Sequence, residues 1–489
     1  NEAGSPVRSP TKAPLKTKHK KNENSYMNIK IKFNWLTLLS IVITANALAA
    51  ELSLETTPLF TTNSVKPNLI LSIDDSGSMD GEVLFTTNDG ALWWNTTNES
   101  FVSGGSANYN SSGNANGTWK KYIYLFPNGT GTGKRVYGDS TNDHYAIPPF
   151  IQYAYTRSSI YNKMYYDPNT TYEPWASYGT TTFSDVDPEN APSDPATATG
   201  VTLNLLADSN KTGTNELFRF HDGMRIPAGT TYNGTYYGVD TDIGIDRNTN
   251  INYYPATYYI KAPTGTFTVG TGGSAAAGDC ASPNSSLYTT FSNDPSSLST
   301  TIDSLGPDGS CLIKVEIKSA TTSYSNTTGR SDCLANTICS FDEEIQNFAN
   351  WYSYYRKRHL ALRAGMGQAF TGFTAIRTGL FTINNRSDVT MWDMEASSDS
   401  FFSKLYSIDG NSGGTPNRQA MNYAGEQFMR TNAGKPIIES CQKNFTLFFT
   451  DGFATTDSSS GVGNQDQNEG TPYADTYSNT IADIAMKYY

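Results

Sequence analysis

Asp74, Ser76 and Ser78 form an Asp-x-Ser-x-Ser turn directly after the apolar run Leu69-Ile70-Leu71-Ser72-Ile73. One carboxylate and two hydroxyls are few donors for a cation, so an ion held there keeps several waters and stays electrophilic. Such a set suits a hard octahedral ion, Mg2+ first, with Mn2+ or Ca2+ as alternatives. The ion can take an acidic group from a partner as its last ligand, which is binding chemistry rather than turnover. Asp and Ser are ordinary turn residues, and the spacing alone decides little. Two later segments extend it. Gly413-Gly414-Thr415-Pro416 offers the Thr415 hydroxyl from a loop made compact by glycine, ahead of an amphipathic pattern over 418–428. Phe445-Thr446-Leu447-Phe448-Phe449 reads as a second buried strand, followed by Thr450-Asp451-Gly452 with a carboxylate at its tip. These residues need strands whose carboxyl ends share one edge, where open α/β sheets present their ligands.

The order Asp-x-Ser-x-Ser, Gly-Gly-Thr, strand-Thr-Asp-Gly resembles the von Willebrand factor A domain with its metal-ion-dependent adhesion site. The resemblance implies a doubly wound, mostly parallel sheet. It also implies that Ser76, Ser78 and Thr415 coordinate the cation directly while Asp74 and Asp451 hold its waters. An ordinary A domain enters its first helix soon after the serines. Here the chain turns instead to Asn, Gly, Ser, Thr and Tyr over 81–340, which reads as a large β-rich insertion splitting the A domain into 67–80 and 341–489. Runs such as Cys311-Leu312-Ile313-Lys314-Val315-Glu316-Ile317 predict short strands between long loops.

After the insertion, Ser340-Phe341-Asp342-Glu343 is a capping box, and Ile345, Phe348, Tyr352, Tyr355, Leu362, Met366 and Phe370 recur at helical spacing. Arg356, Lys357, Arg358 and Arg363 fall largely off that stripe and are expected on a solvated face. His359 is expected as a packed ring, and Phe373–Phe381 as the next core strand.

Residues 27–49 carry a basic start, an apolar stretch over 33–44 and Ala47-Leu48-Ala49, the pattern of a secretory signal peptide. Residues 1–26 precede Met27 and read as upstream sequence, and 50–66 as a linker. Residues 1–32 hold 8 of the 35 Lys and Arg and 2 of the 46 acids, which leaves 27 basic against 44 acidic groups after cleavage, net −17. Such a surface repels nucleic acid and anionic lipid. No second apolar run is long enough to span a bilayer. Five cysteines in an exported chain point to disulfides. Cys333 with Cys339 and Cys280 with Cys311 are natural pairs, and Cys441 is left over.

Enzyme readings fare poorly. Gly129-Thr130-Gly131-Thr132-Gly133-Lys134-Arg135 imitates a phosphate loop but lacks its first Gly and its Ser or Thr. His144, His221 and His359 show no zinc spacing and no Ser-His pairing. Asp240, Asp242, Asp246 and Asn248 offer a possible calcium loop whose spacing departs from the EF-hand.

The segment from Asp332-Cys333 to Cys339 and on through Glu343-Glu344-Ile345-Gln346-Asn347-Phe348-Ala349-Asn350-Trp351-Tyr352-Ser353-Tyr354-Tyr355-Arg356-Lys357-Arg358 resembles the signature helix of the PilY/PilC family. Tyr161-Asn162-Lys163-Met164-Tyr165-Tyr166-Asp167-Pro168, Tyr172-Glu173-Pro174-Trp175, Tyr253–Tyr259 and Ile481–Tyr489 are similar to family segments. The resemblance implies a noncatalytic type IV pilus-tip adhesin and assembly factor of a Gram-negative bacterium. Its expected location is the periplasm, the outer membrane and the pilus tip at the cell surface. The implied partners are pilus or minor pilin subunits and a host or surface ligand bearing an acidic group. The alternative is a secreted A-domain protein that acts in pilus or surface assembly without adhesion. Family members continue into a propeller with its own calcium site. The present sequence is therefore expected to be an N-terminal fragment that stops before the last strands of the A domain.

Overall fold

Asn68–Ile73 (β1) is buried along nearly its whole length because strands flank both its edges and apolar clusters cover both its faces, Leu71 and Ile73 on one and Ile70 on the other. In the computed structural model it lies inside a four-stranded sheet with Arg377–Thr382 (β2), Trp392–Asp393 (β3) and Asn444–Phe449 (β4), in the order β3-β2-β1-β4. β1 is parallel to β2 and β4, and β3 is antiparallel to β2. The register sets Ile73 opposite both Thr382 and Phe449, so the chain leaves all three strands at the same edge. Two backbone bonds of 2.9 Å extend the pairing past the strands, from Asp74 N to the Phe449 carbonyl and from Ile383 N to the Ile73 carbonyl.

The structure describes residues 65–85, 151–197, 201–207, 254–261, 311–320, 337–410, 413–452, 461–466 and 474–489, with shorter stretches between them. The chain divides after Ser64, and all of these belong to the unit Val65–Tyr489. The signal-peptide pattern, the Gly129–Arg135 loop, Cys280 and most of the Asp240–Asn248 loop lie outside the described residues. No helix among the described residues is long and apolar enough to cross a membrane.

Among the described residues, five α-helices accompany the sheet: Phe341–Tyr354 (α1), Arg358–Phe370 (α2), Met394–Tyr406 (α3), Asn417–Phe428 (α4) and Ile481–Tyr488 (α5). Ser340 caps α1 with the expected reciprocal bonds to Glu343. The continuous stripe from Ile345 to Phe370 predicts one helix, and the structure corrects this to two. Tyr355 leaves helical geometry and Lys357 is extended, at φ −107° and ψ 152°.

The break explains a second correction. Arg356, Lys357, Arg358 and Arg363 are buried, not solvated. Arg356 pairs with Glu82 at 3.1 Å, Lys357 with Asp80 at 2.6 Å, Arg358 with Asp451 at 2.5 Å and Arg363 with Asp194 at 2.9 Å. Three consecutive residues of an unbroken helix project about 100° apart and could not all turn inward. Opening the helix at 355–357 lets them do so.

β2 begins at Arg377 rather than Phe373, because residues 371–375 form the exposed return from α2, with Gly372 at φ +80°. β4 is half covered rather than buried. Its partner is β1 alone among the described residues, and Phe445 and Leu447 stand exposed.

The segment after Ser158 wraps α1. Asn347 accepts from Tyr172 N and donates to the Thr170 carbonyl, while Asn350 accepts from Val186 N and donates to the Tyr172 carbonyl. Trp351 donates to the Met164 carbonyl, and Trp175 donates back to the Tyr354 carbonyl. Glu344, buried, receives Arg330, Tyr166 and Tyr258. Burial raises its carboxyl above the ordinary range against the pull of Arg330. One apolar core therefore runs from Leu71 through Tyr165, Tyr166 and Trp175 to Phe348, Trp351 and Leu405. Cys333 and Cys339 are disulfide-bonded just before α1, with their Cα atoms 4.8 Å apart, and Cys441 is free and exposed.

Glu82 accepts Leu125 N and Phe126 N through one carboxylate oxygen and Arg356 through the other. Arg356→Ala leaves that buried carboxylate without its cation, and urea unfolding is expected to show a loss of about 3–5 kcal/mol. Exposed Lys404→Ala is expected to cost about 0.5 kcal/mol or less. Equal losses would contradict the buried pairing.

Candidate metal centre

The strand tips carry the residues singled out from the sequence. β1 runs straight into Asp74, whose buried carboxylate closes its own turn by accepting from Ser76 N at 2.8 Å. Its other oxygen accepts the Thr450 hydroxyl at 2.8 Å, which ties the tip of β1 to the tip of β4. The Ser76 and Ser78 hydroxyls lie 3.0 Å apart, and Ser78 donates to Asp451 at 2.8 Å. Asp74, Ser76, Ser78 and Asp451 thus form one hydrogen-bonded group drawn from two strand ends. Thr415 is buried in the neighbouring loop, which joins the group through its backbone: Gly77 N donates to the Gly413 carbonyl at 3.2 Å. Asn417, at the start of α4, reaches the Gly452 carbonyl at 3.4 Å.

Burial first, and then the Asp451 carboxylate, hold the Asp74 carboxyl above its ordinary range, and the bonds from Ser76 and Thr450 offset this only in part. Two carboxylates approaching over a pair of hydroxyls, in a partly buried turn, form a donor set that a small dication relieves. Hard oxygen atoms are the only side-chain donors in this group, which fits Mg2+, Mn2+ or Ca2+ better than a thiophilic metal.

Two residues of this edge, Arg358 and Asn384, were not singled out from the sequence as parts of the site. Arg358 donates to Asp451 at 2.5 Å and to the Val83 carbonyl at 2.9 Å, so one of the two carboxylates already faces a fixed positive charge. Asn384, just past β2, donates to Asp75 at 3.0 Å and to the Gly414 carbonyl at 2.9 Å. It links the turn after β1 to the loop that holds Thr415. The signal for Asn384 was its place two residues beyond a strand tip. Arg358 gave none, because a basic run beside a helix reads as solvated.

Behind the turn, His359 is packed as expected, with Nδ1 3.0 Å from the Met79 carbonyl. Burial and then the Arg363 guanidinium hold its imidazole below the ordinary range, against the opposing pull of Asp409.

Comparison with known proteins bears on about a third of the chain. A Type IV pilus biogenesis factor PilY1 of Pseudomonas aeruginosa strain PAK is 31% identical over 207 residues, which is 34% of this chain and 18% of the relative. Its namesake from strain PAO1 is 31% identical over 216 residues, 35% of this chain and 18% of the relative. That of strain UCBPP-PA14 is 31% identical over 169 residues. The chain is PilY1-like. The match spans less than a fifth of the length of these curated relatives. No family model matches the sequence, and no solved structure does.

The raised Asp74 carboxyl gives this PilY1-like chain a pH signature. The folded, metal-free protein binds that proton more tightly than the unfolded chain. This group alone therefore lowers stability as pH rises from the ordinary carboxylate range through its own higher value. A cation needs the ionised form, so protons compete with it. The rise in melting temperature on adding Mg2+ is expected to be full at pH 7.5 and to fade as pH falls, beginning above the usual aspartate range. Scanning calorimetry at a series of pH values checks this, and an increment that does not change with pH would contradict it.

Proposed function

We propose that the chain is part of an exported type IV pilus biogenesis protein, whose von Willebrand factor A-like domain binds a partner through a divalent cation at the tips of β1 and β4. The observation that carries the reading is the hydrogen-bonded group of Asp74, Ser76, Ser78 and Asp451, which stands beside the Thr415 loop. The names of the Pseudomonas relatives support the pilus role.

Ser76, Ser78 and Thr415 would hold the ion by their hydroxyls, and Asp74 and Asp451 through its waters. A divalent cation there supplies an electrophilic position that an acidic group of a partner can fill. The chain's own contribution is positioning. Thr450 and Ser76 N fix the Asp74 carboxylate, Arg358 fixes that of Asp451, and Asn384 holds the Thr415 loop against the turn. In this reading the site binds a partner's acidic group rather than turning over a substrate. The partners we propose are pilus or minor pilin subunits and a surface ligand with an exposed carboxylate, met at the cell surface and the pilus tip.

A second reading, assembly of pili without adhesion, draws on the relatives' title of biogenesis factor. One strain separates the two. In a bacterium carrying the full-length gene, the double variant Ser76→Ala with Ser78→Ala removes two direct ligands with little change in packing. Adhesion through the cation predicts that attachment per piliated cell falls at least tenfold, and that chelation of the wild type does the same. Normal attachment per pilus with fewer pili would overturn adhesion and favour assembly.

A further inference from the structure

We propose that Asp194, His359 and Asp409 form a second cation site, separate from the serine turn and suited to a borderline divalent ion such as Zn2+. One ligating atom from each lies within 4.8 Å of the others. His359, in the first turn of α2, and Asp194 are both buried, while the Asp409 side chain is 34% exposed and leaves a path from solvent.

The hydrogen bonding of the imidazole points to a ligand. The Met79 carbonyl, 3.0 Å from Nδ1, can only accept, so Nδ1 carries the proton. Nε2 of the neutral ring then presents a lone pair to Asp409 Oδ1 at 3.2 Å, itself an acceptor. Two lone pairs at that separation repel unless an electrophile joins them. One imidazole nitrogen and two carboxylates are a donor set that zinc takes, with water as the fourth ligand. An Nδ1–H bonded to a main-chain carbonyl is the outer contact that metal-bound histidines commonly make.

Arg363 belongs to the same arrangement. Its guanidinium meets both oxygens of Asp194, at 3.1 and 2.9 Å, and Ala196 N adds a bond of 2.9 Å to Oδ1. These fix the Asp194 carboxylate and neutralise it, while Asp409 faces the imidazole of His359. An ion here would also hold Met79 through His359, and Met79 lies in the Gly77–Asp80 turn that follows Ser76. Loading this site would therefore stiffen the loop of the first centre.

The test uses the whole chain carrying Ser76→Ala and Ser78→Ala, which disables the first centre, and Co2+ as a visible probe. The expected result is the intense absorption of four-coordinate Co2+ at one equivalent, displaced by Zn2+. Adding Asp409→Asn, a change on a half-exposed loop, should weaken Co2+ binding at least tenfold with an unchanged circular dichroism spectrum. In 15N spectra, the Nε2 resonance of His359 should shift on adding Zn2+ at constant pH. Absence of the absorption, or its persistence in Asp409→Asn, would overturn the site. An Nε2 resonance that responds to pH but not to Zn2+ would also overturn it, because a proton would then bridge the pair.

Discussion

The rest of the structure depends on four buried cations that meet four carboxylates where α1 breaks into α2. Arg356, Lys357, Arg358 and Arg363 cannot be left unpaired away from water, since an isolated buried charge costs several kcal/mol or more. Their partners, Glu82, Asp80, Asp451 and Asp194, come from the turn after β1, the tip of β4 and the segment that wraps α1. Each pair therefore fixes the distance between elements far apart in sequence. The helix break, the path of the chain after Ser78 and the place of Asp451 are set together.

That constraint bears directly on the strand tips. Parallel pairing brings the ends of β1, β2 and β4 to one edge, but register alone does not aim side chains. Aim comes from the polar contacts around them. Lys357 anchors Asp80 below the turn, Arg358 anchors Asp451 across from it, and Asn384 closes the third side. The hydroxyls of Ser76 and Ser78 are then presented between two carboxylates whose mutual repulsion remains partly unrelieved. A fold that spends packing energy on holding like charges together is what a cation-binding edge requires.

Much of this edge was legible in the sequence because its signals are local. Asp-x-Ser-x-Ser after an apolar run, a Gly-Gly-Thr ahead of a helix and a strand ending in Thr-Asp-Gly each depend on neighbouring residues, and so does the Ser340 capping box. The failures were non-local. The periodicity from Ile345 to Phe370 reads straight through the break, since the helix opens at 355–357 so that Arg356, Lys357 and Arg358 reach carboxylates that lie far away in sequence, Glu82, Asp80 and Asp451. The same pairs made the basic run look like a surface. β4 looked buried because its residues are apolar, whereas burial depends on what lies against it. Asn347, Asn350 and Trp351 fall on one face of α1, but polar residues there read as solvated, and their purpose appears only when the segment 164–186 is laid against them.

The central claim is that one cation sits where three loops meet. Crystals soaked in Mn2+ test it most directly, through the anomalous scattering of the ion. The account predicts a peak within direct coordination distance of the Ser76, Ser78 and Thr415 hydroxyls, with Asp74 and Asp451 one water away. Crystals that bind Mn2+ elsewhere and leave this position empty would contradict it.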